Sequence, residues 1–250
     1  MPLEPSAMRD AETAGLAGDA APAVMYNRRV PRLVLLSDTH GMHDTLRVPE
    51  GDVLVHTGDF CTIGDEQEAR SFAEWFLSQP HAHKVVIAGN HDLCLERDLA
   101  FGARLFEGAT YLLDGEATIA GLRFYGSPWQ PEFMGWGFNL PRGEPLRRVW
   151  AKIPNGIDVL LTHGPPFGVL DRTLTGMWVG CEELRVAVDR AQPRLHVFGH
   201  IHEGLGVHTE SGVVFVNAAI CDYRSTQDIV VADVPLDRAR PVTWTTVRSE

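Results

Sequence analysis

Cysteine is scarce in this 250-residue sequence, and its four positions are scattered. They form no C-x-x-C pair, which argues against a thiolate zinc site and against a disulfide framework. No apolar run approaches the roughly 18 residues that a membrane-spanning helix needs. The Ala-rich N-terminus carries Glu4, Asp10, Glu12 and Asp19, so it lacks the apolar core of a signal peptide. These absences predict a cytoplasmic protein with buried free thiols and no membrane contact.

Basic residues are in the minority, with 22 Lys and Arg against 33 Asp and Glu and a formal charge of −11. A protein dedicated to nucleic-acid binding would need a basic stripe, so the charge balance argues against that class. It does not exclude a small anionic substrate, because bound cations would reverse the sign of the field around them.

The sequence has one predicted folded region. Residues 1–29 are rich in Ala, Gly and Pro without periodicity, which predicts a flexible leader, and residues 30–250 form the predicted domain. Helices are predicted over Asp65–Ser78 and Cys181–Ala191, and a hairpin over Ala117–Tyr125. Short continuous apolar runs are typical of strands buried on both faces. They lie at Leu33–Leu36, Val53–Val55, Val85–Ala88, Val159–Leu161, Leu195–Phe198, Val213–Val216 and Ile229–Val231. Strand and helix alternation followed by β-rich sequence predicts an α/β protein with two packed sheets.

Asp, Asn or His side chains follow nearly every apolar run. Because ligands of α/β folds gather at the carboxyl ends of strands, this pattern aims several donors at one region. The donors are oxygens and imidazoles, a set that suits Mn²⁺, Fe²⁺ or Zn²⁺. Five segments carry them: Ser37–His40, Gly58-Asp59, Gly89–Asp92, Thr162–Gly164 and Gly199–His202.

The order of these segments (D-x-H, G-D, G-N-H-D, H, G-H-x-H) resembles that of the calcineurin-like metallophosphoesterases. Longer runs are similar to the metallophosphoesterase-domain-containing proteins first described from animal brain and to their bacterial relatives. These runs are GDVLVHTGDF at Gly51–Phe60, YGSPW at Tyr125–Trp129, GWGFNLPRG at Gly135–Gly143 and HVFGHIHEG at His196–Gly204.

The resemblance implies a four-layer α/β/β/α sandwich of two packed mixed sheets flanked by helices. It also implies two divalent ions per chain, with Mn²⁺ expected and iron, zinc or cobalt as alternatives. One ion would be held by Asp38, His40 and His202, the other by Asn90, His163 and His200, and Asp59 would bridge them. Ions about 3.5–4 Å apart can share a water, lower its pKa, and clamp a phosphate during in-line attack by the bridging hydroxide.

His91 and Asp92 are the predicted catalytic pair. His91 is expected beyond the metals, where it could protonate the leaving oxygen or bind the phosphate with Asn90, and Asp92 is expected to orient it. A phosphodiesterase for small organic phosphodiesters follows, and the resemblance suggests cyclic nucleotides. A phosphomonoesterase and a non-catalytic metal-binding scaffold are the alternatives, and the presence of His91 favours catalysis.

Other residues have less specific patterns. His43 is a candidate for substrate contact because it follows the first metal segment, although a solvated loop residue is the simpler interpretation. Trp129 begins an aromatic stretch up to Phe138 that could stack a nucleobase, pack as a loop, or form a homo-oligomer contact. His56 and His196 lie within predicted strands and are expected to be hydrogen-bonded core residues.

Overall fold

The structure, a computed structural model, describes residues 30–221 and 227–249. The predicted leader, residues 1–29, lies outside the described residues. No helix in the described part of the chain is both long and apolar enough to cross a bilayer.

The described chain alternates between strands and helices and ends in a β-rich half. The strands are β1 Arg32–Leu36, β2 Val53–His56, β3 His83–Val86, β4 Thr110–Tyr111, β5 Gly115–Ile119, β6 Leu122–Ser127, β7 Gln130–Pro131, β8 Asn139–Leu140, β9 Val159–Thr162, β10 Leu195–Phe198, β11 Gly206–Glu210, β12 Val213–Asn217, β13 Ile229–Asp233 and β14 Thr243–Val247. The helices are α1 Glu66–Ser78, α2 Leu93–Arg97, α3 Leu99–Leu105, α4 Glu144–Trp150 and α5 Glu182–Ala191, with 3-10 turns at His43–Thr45 and His202–Gly204.

Two six-stranded mixed sheets form the centre of the fold. The first has the order β14-β13-β1-β2-β3-β4 and the second β11-β12-β10-β9-β6-β5. Strands β1, β2 and β3 run parallel in the first sheet, as do β6, β9, β10 and β12 in the second. The carboxyl ends of the parallel strands of each sheet therefore lie along one edge.

Alternating side chains of each strand enter two different cores. Leu33 and Leu35 of β1 pack between the sheets against residues such as Val159 and Val197. Val34 and Leu36 face the other way and pack with Phe72 and the rest of helices α1 to α3. Helices α4 and α5 cover the outer face of the second sheet in the same manner. This arrangement confirms the predicted four layers.

Local sequence explains where the elements begin and turn. Helix α1 starts after Asp65, whose side chain accepts a hydrogen bond of 2.8 Å from the Glu68 amide. The β5–β6 hairpin turns at Ala120 and Gly121, with φ values of 51° and 83°. Two successive positive φ values are typical of the tight turn that matches the twist of the flanking strands. Both elements were predicted from the sequence.

His56 and His196 are fully buried, as expected of core histidines. The ring of His56 lies 3.2 Å from the Thr39 hydroxyl and accepts a hydrogen bond from the Gly58 amide. In His196, Nε2 lies 2.8 Å from the hydroxyl of Thr162, which itself donates to the Gly164 carbonyl. Both rings therefore support loops that carry predicted ligands. His81 is buried as well, and its Nε2 lies 3.0 Å from the Pro49 carbonyl oxygen.

Burial lowers the pKa of His196 to about 3. Since the unfolded chain protonates near pH 6.5, it binds more protons than the folded chain between these values. The unfolding free energy of the metal-free protein should therefore fall by about 1.4 kcal/mol per pH unit for this group as the pH drops below 6.5. Urea denaturation of wild type and His196→Gln at pH 7, 6, 5 and 4 would measure it. We expect the variant to be less stable at pH 7 but to have a shallower pH slope, whereas exposed His83→Gln should keep the wild-type slope. Equal slopes in all three proteins would contradict the prediction.

Candidate metal centre

The predicted ligands converge at the shared edge of the two sheets. Asp38, Asp59 and Asn90 lie in the loops that follow β1, β2 and β3, while His163 and His200 follow β9 and β10. At this edge the Asp38 carboxylate, from the first sheet, accepts a hydrogen bond of 3.0 Å from the His200 backbone amide, from the second. The edge of the sandwich thus brings together residues that are up to 164 positions apart in the chain.

Four of the predicted ligands have left-handed backbone conformations. The φ values are 53° at Asp38, 41° at His40, 58° at Asp59 and 66° at His200. Non-glycine residues seldom adopt this region, and such strain clusters at functional sites where the surrounding structure holds it. The strained backbone turns these side chains into one small space at the ends of the strands.

Two glycines allow the loops to approach the ligand side chains. A Cβ on Gly89 would lie 2.3 Å from Asp59 Oδ1 and 2.7 Å from His163 Cε1. A Cβ on Gly199 would lie within 1.9 Å of Asp38 Oδ2. Only glycine fits at either position without moving a predicted ligand.

The first ligand group comprises Asp38, His40 and His202, whose ligand atoms lie within 4.8 Å of one another. His202 Nε2 is 3.2 Å from Asp38 Oδ1 and 3.3 Å from His40 Nε2. His40 Nε2 is 3.9 Å from Asp38 Oδ1. Three side chains that could each bind a metal through one ligand atom therefore face the same point.

The second ligand group is centred on Asp59, which lies within 4.8 Å of ligand atoms of both His163 and His200. Asp59 Oδ2 is 3.2 Å from His163 Nε2 and 4.0 Å from His40 Nε2 of the first group. The Asn90 side-chain oxygen lies 2.9 Å from His163 Nε2. The Asp59 carboxylate is therefore the one that stands between the two groups.

Hydrogen bonds to backbone carbonyls determine which ring nitrogen is available for a metal. His40 Nδ1 lies 3.1 Å from the Cys61 carbonyl, and His163 Nδ1 lies 2.9 Å from the Thr57 carbonyl. A carbonyl can only accept, so each Nδ1 carries the hydrogen and Nε2 faces the centre. Backbone groups of this kind orient the histidine ligands of metal sites.

The electrostatics of the metal-free site also suit cations. Burial opposes ionisation of Asp38, but His202 and His163 hold its pKa well below the usual range. Burial would lower the pKa of His163, yet Asp59 and Asp38 raise it to about 9. In His200, burial and nearby His163 lower the pKa to about 4. A proton and a cation therefore compete for Nε2 of His163.

These observations test whether the residues fit divalent metals. The donors are carboxylate, amide and imidazole atoms, most of them buried, and they form two adjacent groups with the ring nitrogens oriented for ligation. This chemistry suits borderline divalent ions, and the donor set therefore fits the predicted metals.

Asp92 does not orient His91, and that prediction was wrong. Its Oδ2 accepts hydrogen bonds from the backbone amides of Asp59 and Gly89, at 2.9 and 2.7 Å. Its Oδ1 accepts from the Cys61 amide at 2.9 Å. A carboxylate needs no neighbouring imidazole when three backbone donors surround it. Asp92 therefore ties together two of the loops that carry ligands.

His91 is held by other groups. Its Nδ1 donates to the Thr62 carbonyl at 2.7 Å, and its backbone amide donates to Asp59 Oδ1 at 2.7 Å. Its ring stacks on Trp136 with centroids 4.0 Å apart, and meets His40 edge-on at 4.8 Å. Because Nδ1 donates to this carbonyl, Nε2 is the ring nitrogen that remains for other partners. The aromatic loop was predictable from the sequence, but this stack was not, since nothing in the spacing of the residues shows where the loop folds back.

Two weaker sequence candidates lie elsewhere. His43 is buried and packs against Phe72 and Trp75 of helix α1, so it is neither a solvated residue nor placed to contact substrate. Trp129 is half-buried and packs edge-on against Phe138 at 5.6 Å. Phe133 of the same stretch lies edge-on to His200 at 5.9 Å. The aromatic loop therefore contacts the site through Trp136 and Phe133.

A cleft of about 1160 Å³ opens beside His200 and His202. Its walls come from the loop after β7, the loop between β9 and α5, and the turn that follows His202. This volume is slightly above the roughly 300–1,000 Å³ that is typical of small-molecule pockets. A substrate at the ligand groups therefore has space beside it.

With this geometry established, comparisons identify the family. A family model described as calcineurin-like phosphoesterase matches residues 31–204. The chain is 44% identical over 234 residues to Metallophosphoesterase domain-containing protein 1 of Homo sapiens, an alignment that covers 83% of this chain and 72% of that protein. A UPF0046 protein of Caenorhabditis elegans is 40% identical over 229 residues, which cover 82% of this chain and 81% of the relative.

The chain therefore belongs to the calcineurin-like metallophosphoesterases, a family of phosphoric ester hydrolases that bind divalent metals. Within it, the resemblance to the metallophosphoesterase-domain-containing proteins is confirmed. The crystal structure of TT1561 from Thermus thermophilus has the same fold, with a TM-score of 0.59 at 16% identity over 88% of this chain and 100% of that one.

Proposed function

We propose that the chain is a binuclear metal-dependent phosphodiesterase for small organic phosphodiesters, with Asp59 as the bridging ligand. The observation that carries this proposal is the position of the Asp59 carboxylate between two ligand groups, 3.2 Å from His163 Nε2 and 4.0 Å from His40 Nε2. Mn²⁺ is the first ion to test, because the donors are oxygens and imidazoles without a thiolate.

Two bound cations would lower the pKa of a water and neutralise charge on the phosphate. The protein contributes positioning and proton transfer. Asn90 presents its side-chain oxygen to the His163 ring, so its Nδ2 amide can donate to a phosphate oxygen. His91, held through Nδ1, can donate a proton from Nε2 to the leaving oxygen.

The distribution of cationic side chains supports a diester as the substrate. Lys and Arg are absent from all five ligand segments. Arg142, which lines the cleft, is ion-paired with Glu182 and donates to the carbonyls of Val179 and Gly180. A monoester dianion carries one more negative charge than a diester and would gain from a free cation here. Cyclic nucleotides fit this argument as diesters with a single charge.

A preference for diesters should appear in matched aryl substrates. Metal-stripped protein reconstituted with Mn²⁺, Zn²⁺, Fe²⁺, Co²⁺, Mg²⁺ or Ca²⁺ should hydrolyse bis-p-nitrophenyl phosphate with a kcat/KM at least about tenfold above that for p-nitrophenyl phosphate, with at least one of these ions. A higher kcat/KM on the monoester would favour a phosphomonoesterase. Tight metal binding without hydrolysis of either ester would favour a scaffold.

A further inference from the structure

The cleft beside the ligand groups has an apolar wall. Phe133, Leu174 and Met177 line it, and their side chains are 49%, 89% and 60% exposed. Large apolar side chains that stay exposed together at a pocket mark a binding site more often than chance surface composition. The wall adjoins His200 and His202, so whatever it binds lies next to the reacting phosphate.

Hydrogen bonds hold the backbone of the loop that carries Leu174 and Met177 before any ligand binds. The backbone amide of Leu174 donates to Glu203 Oε1 at 3.2 Å, which ties the loop to the residue after His202. The Thr173 amide donates to the Met177 carbonyl at 3.0 Å. Arg142 clamps the end of the loop through the carbonyls of Val179 and Gly180. An ordered wall loses little conformational entropy when a ligand packs on it.

The charges that line the cleft disfavour anionic ligands. Glu132 and Glu203 are exposed side chains at the cleft. Arg142 is the one arginine among the described lining residues, and its charge is already paired with that of Glu182. A ligand that brought a second phosphate or a carboxylate would therefore face two carboxylates, and the described lining offers it no unpaired arginine or lysine.

We propose that this cleft is a subsite for an uncharged apolar substituent of the phosphodiester. The inference rests on the proposed phosphodiesterase function and specifies its substrate class. The substituent is the one that stays on the phosphate, because His91, the proposed acid for the leaving oxygen, does not line the cleft. Among acyclic diesters, the expected substrates are then those whose remaining substituent is an alkyl or aryl group without a further negative charge.

Three esters with the same leaving group test the subsite. The reconstituted enzyme would be assayed with p-nitrophenyl methyl, p-nitrophenyl hexyl and p-nitrophenyl 5-carboxypentyl phosphate. We expect kcat/KM for the hexyl ester to exceed that for the methyl ester by at least about tenfold, because five methylenes leave water. The carboxypentyl ester should fall at least about tenfold below the hexyl ester, since Glu132 and Glu203 repel its carboxylate.

Variants of the apolar wall test whether it causes the preference for the hexyl ester. Leu174→Ser combined with Met177→Ser should bring the hexyl-to-methyl ratio close to one, whereas Val186→Ser should keep the wild-type ratio. Val186 is the matched control because it is 70% exposed and lies on helix α5, outside the cleft. Thermal unfolding would verify that all variants fold, and the single Leu174→Ser variant provides a second test.

The outcomes separate the subsite from the function. Equal kcat/KM on methyl and hexyl esters, or a faster carboxypentyl ester, would overturn the subsite and leave the phosphodiesterase intact. A hexyl preference that arises only with zwitterionic lipid vesicles would overturn it in favour of a membrane-docking surface. Absence of hydrolysis of every diester by fully metal-loaded protein would overturn the proposed function itself.

Discussion

Asp59→Asn is expected to remove most of the bound metal and nearly all of the activity while the protein remains folded. The carboxylate oxygen Oδ2 lies between the two ligand groups, and Oδ1 accepts the His91 amide. An amide cannot supply two anionic oxygens, so both ions lose their shared ligand. Mutation of a group that only orients a ligand lowers metal affinity or activity by about 10–100-fold. Loss of the bridging carboxylate should lower them by more than about 100-fold. Elemental analysis and steady-state kinetics on the same preparations would measure both effects.

Asn is a more informative substitution than Ala at position 59. Asp59 has a φ of 58°, a conformation that Asn tolerates better than Ala, so Asp59→Asn separates metal loss from backbone strain. Asp59→Ala should show the same loss of metal and activity with some loss of stability. Asp44→Asn is the matched control, because its side chain is 78% exposed and outside the ligand groups. One ion or none in fully loaded wild type would refute the binuclear centre.

His91→Ala is expected to keep both metals and lower kcat by roughly 10²–10⁴-fold, the usual worth of a positioned general acid. The structure supports this role because Thr62 and Trp136 hold the ring and leave Nε2 for the substrate. The loss should depend on the leaving group. Esters with an alkoxide-like leaving group need the proton, so their kcat should fall most. p-Nitrophenolate leaves without a proton, so kcat for its esters should fall least.

A leaving-group series measured together with metal content would decide the role of His91. A uniform loss that follows missing metal would make His91 structural, since its ring packs edge-on against the candidate ligand His40. An unchanged rate on every ester would remove the acid from the mechanism. His83→Ala is the matched control, because His83 is an exposed histidine at the start of β3, away from the ligand groups.

Much of the fold was predictable because the strong signals were local. Continuous apolar runs such as Val53–Val55 indicated strands buried on both faces, and the helical spacing of apolar residues within Asp65–Ser78 indicated helix α1. Short or exposed elements were not predicted. Strand β14 has five exposed residues, so no burial pattern marks it, and β4 has only two residues.

The candidate ligands were also predictable, because each one follows a strand and its place in the chain matches the family order. The supporting contacts were not. Asp92 accepts hydrogen bonds from backbone amides of the loops after β2 and β3 rather than contacting its neighbour His91. His43 packs between its own loop and helix α1.

The sequence by itself determined the longer buried strands, the types of candidate ligand, their order and the family. The tertiary structure alone decided which ring nitrogen of His40 and His163 faces the candidate metal centre, which groups position His91, and what lines the cleft. The physical reason is distance along the chain. A strand or a ligand type depends on residues a few positions apart, whereas Thr62 meets His91 across 29 residues and Glu203 meets Leu174 across another 29. Such contacts exist only after the strands of each sheet have paired and brought their loops together, and no local pattern records them.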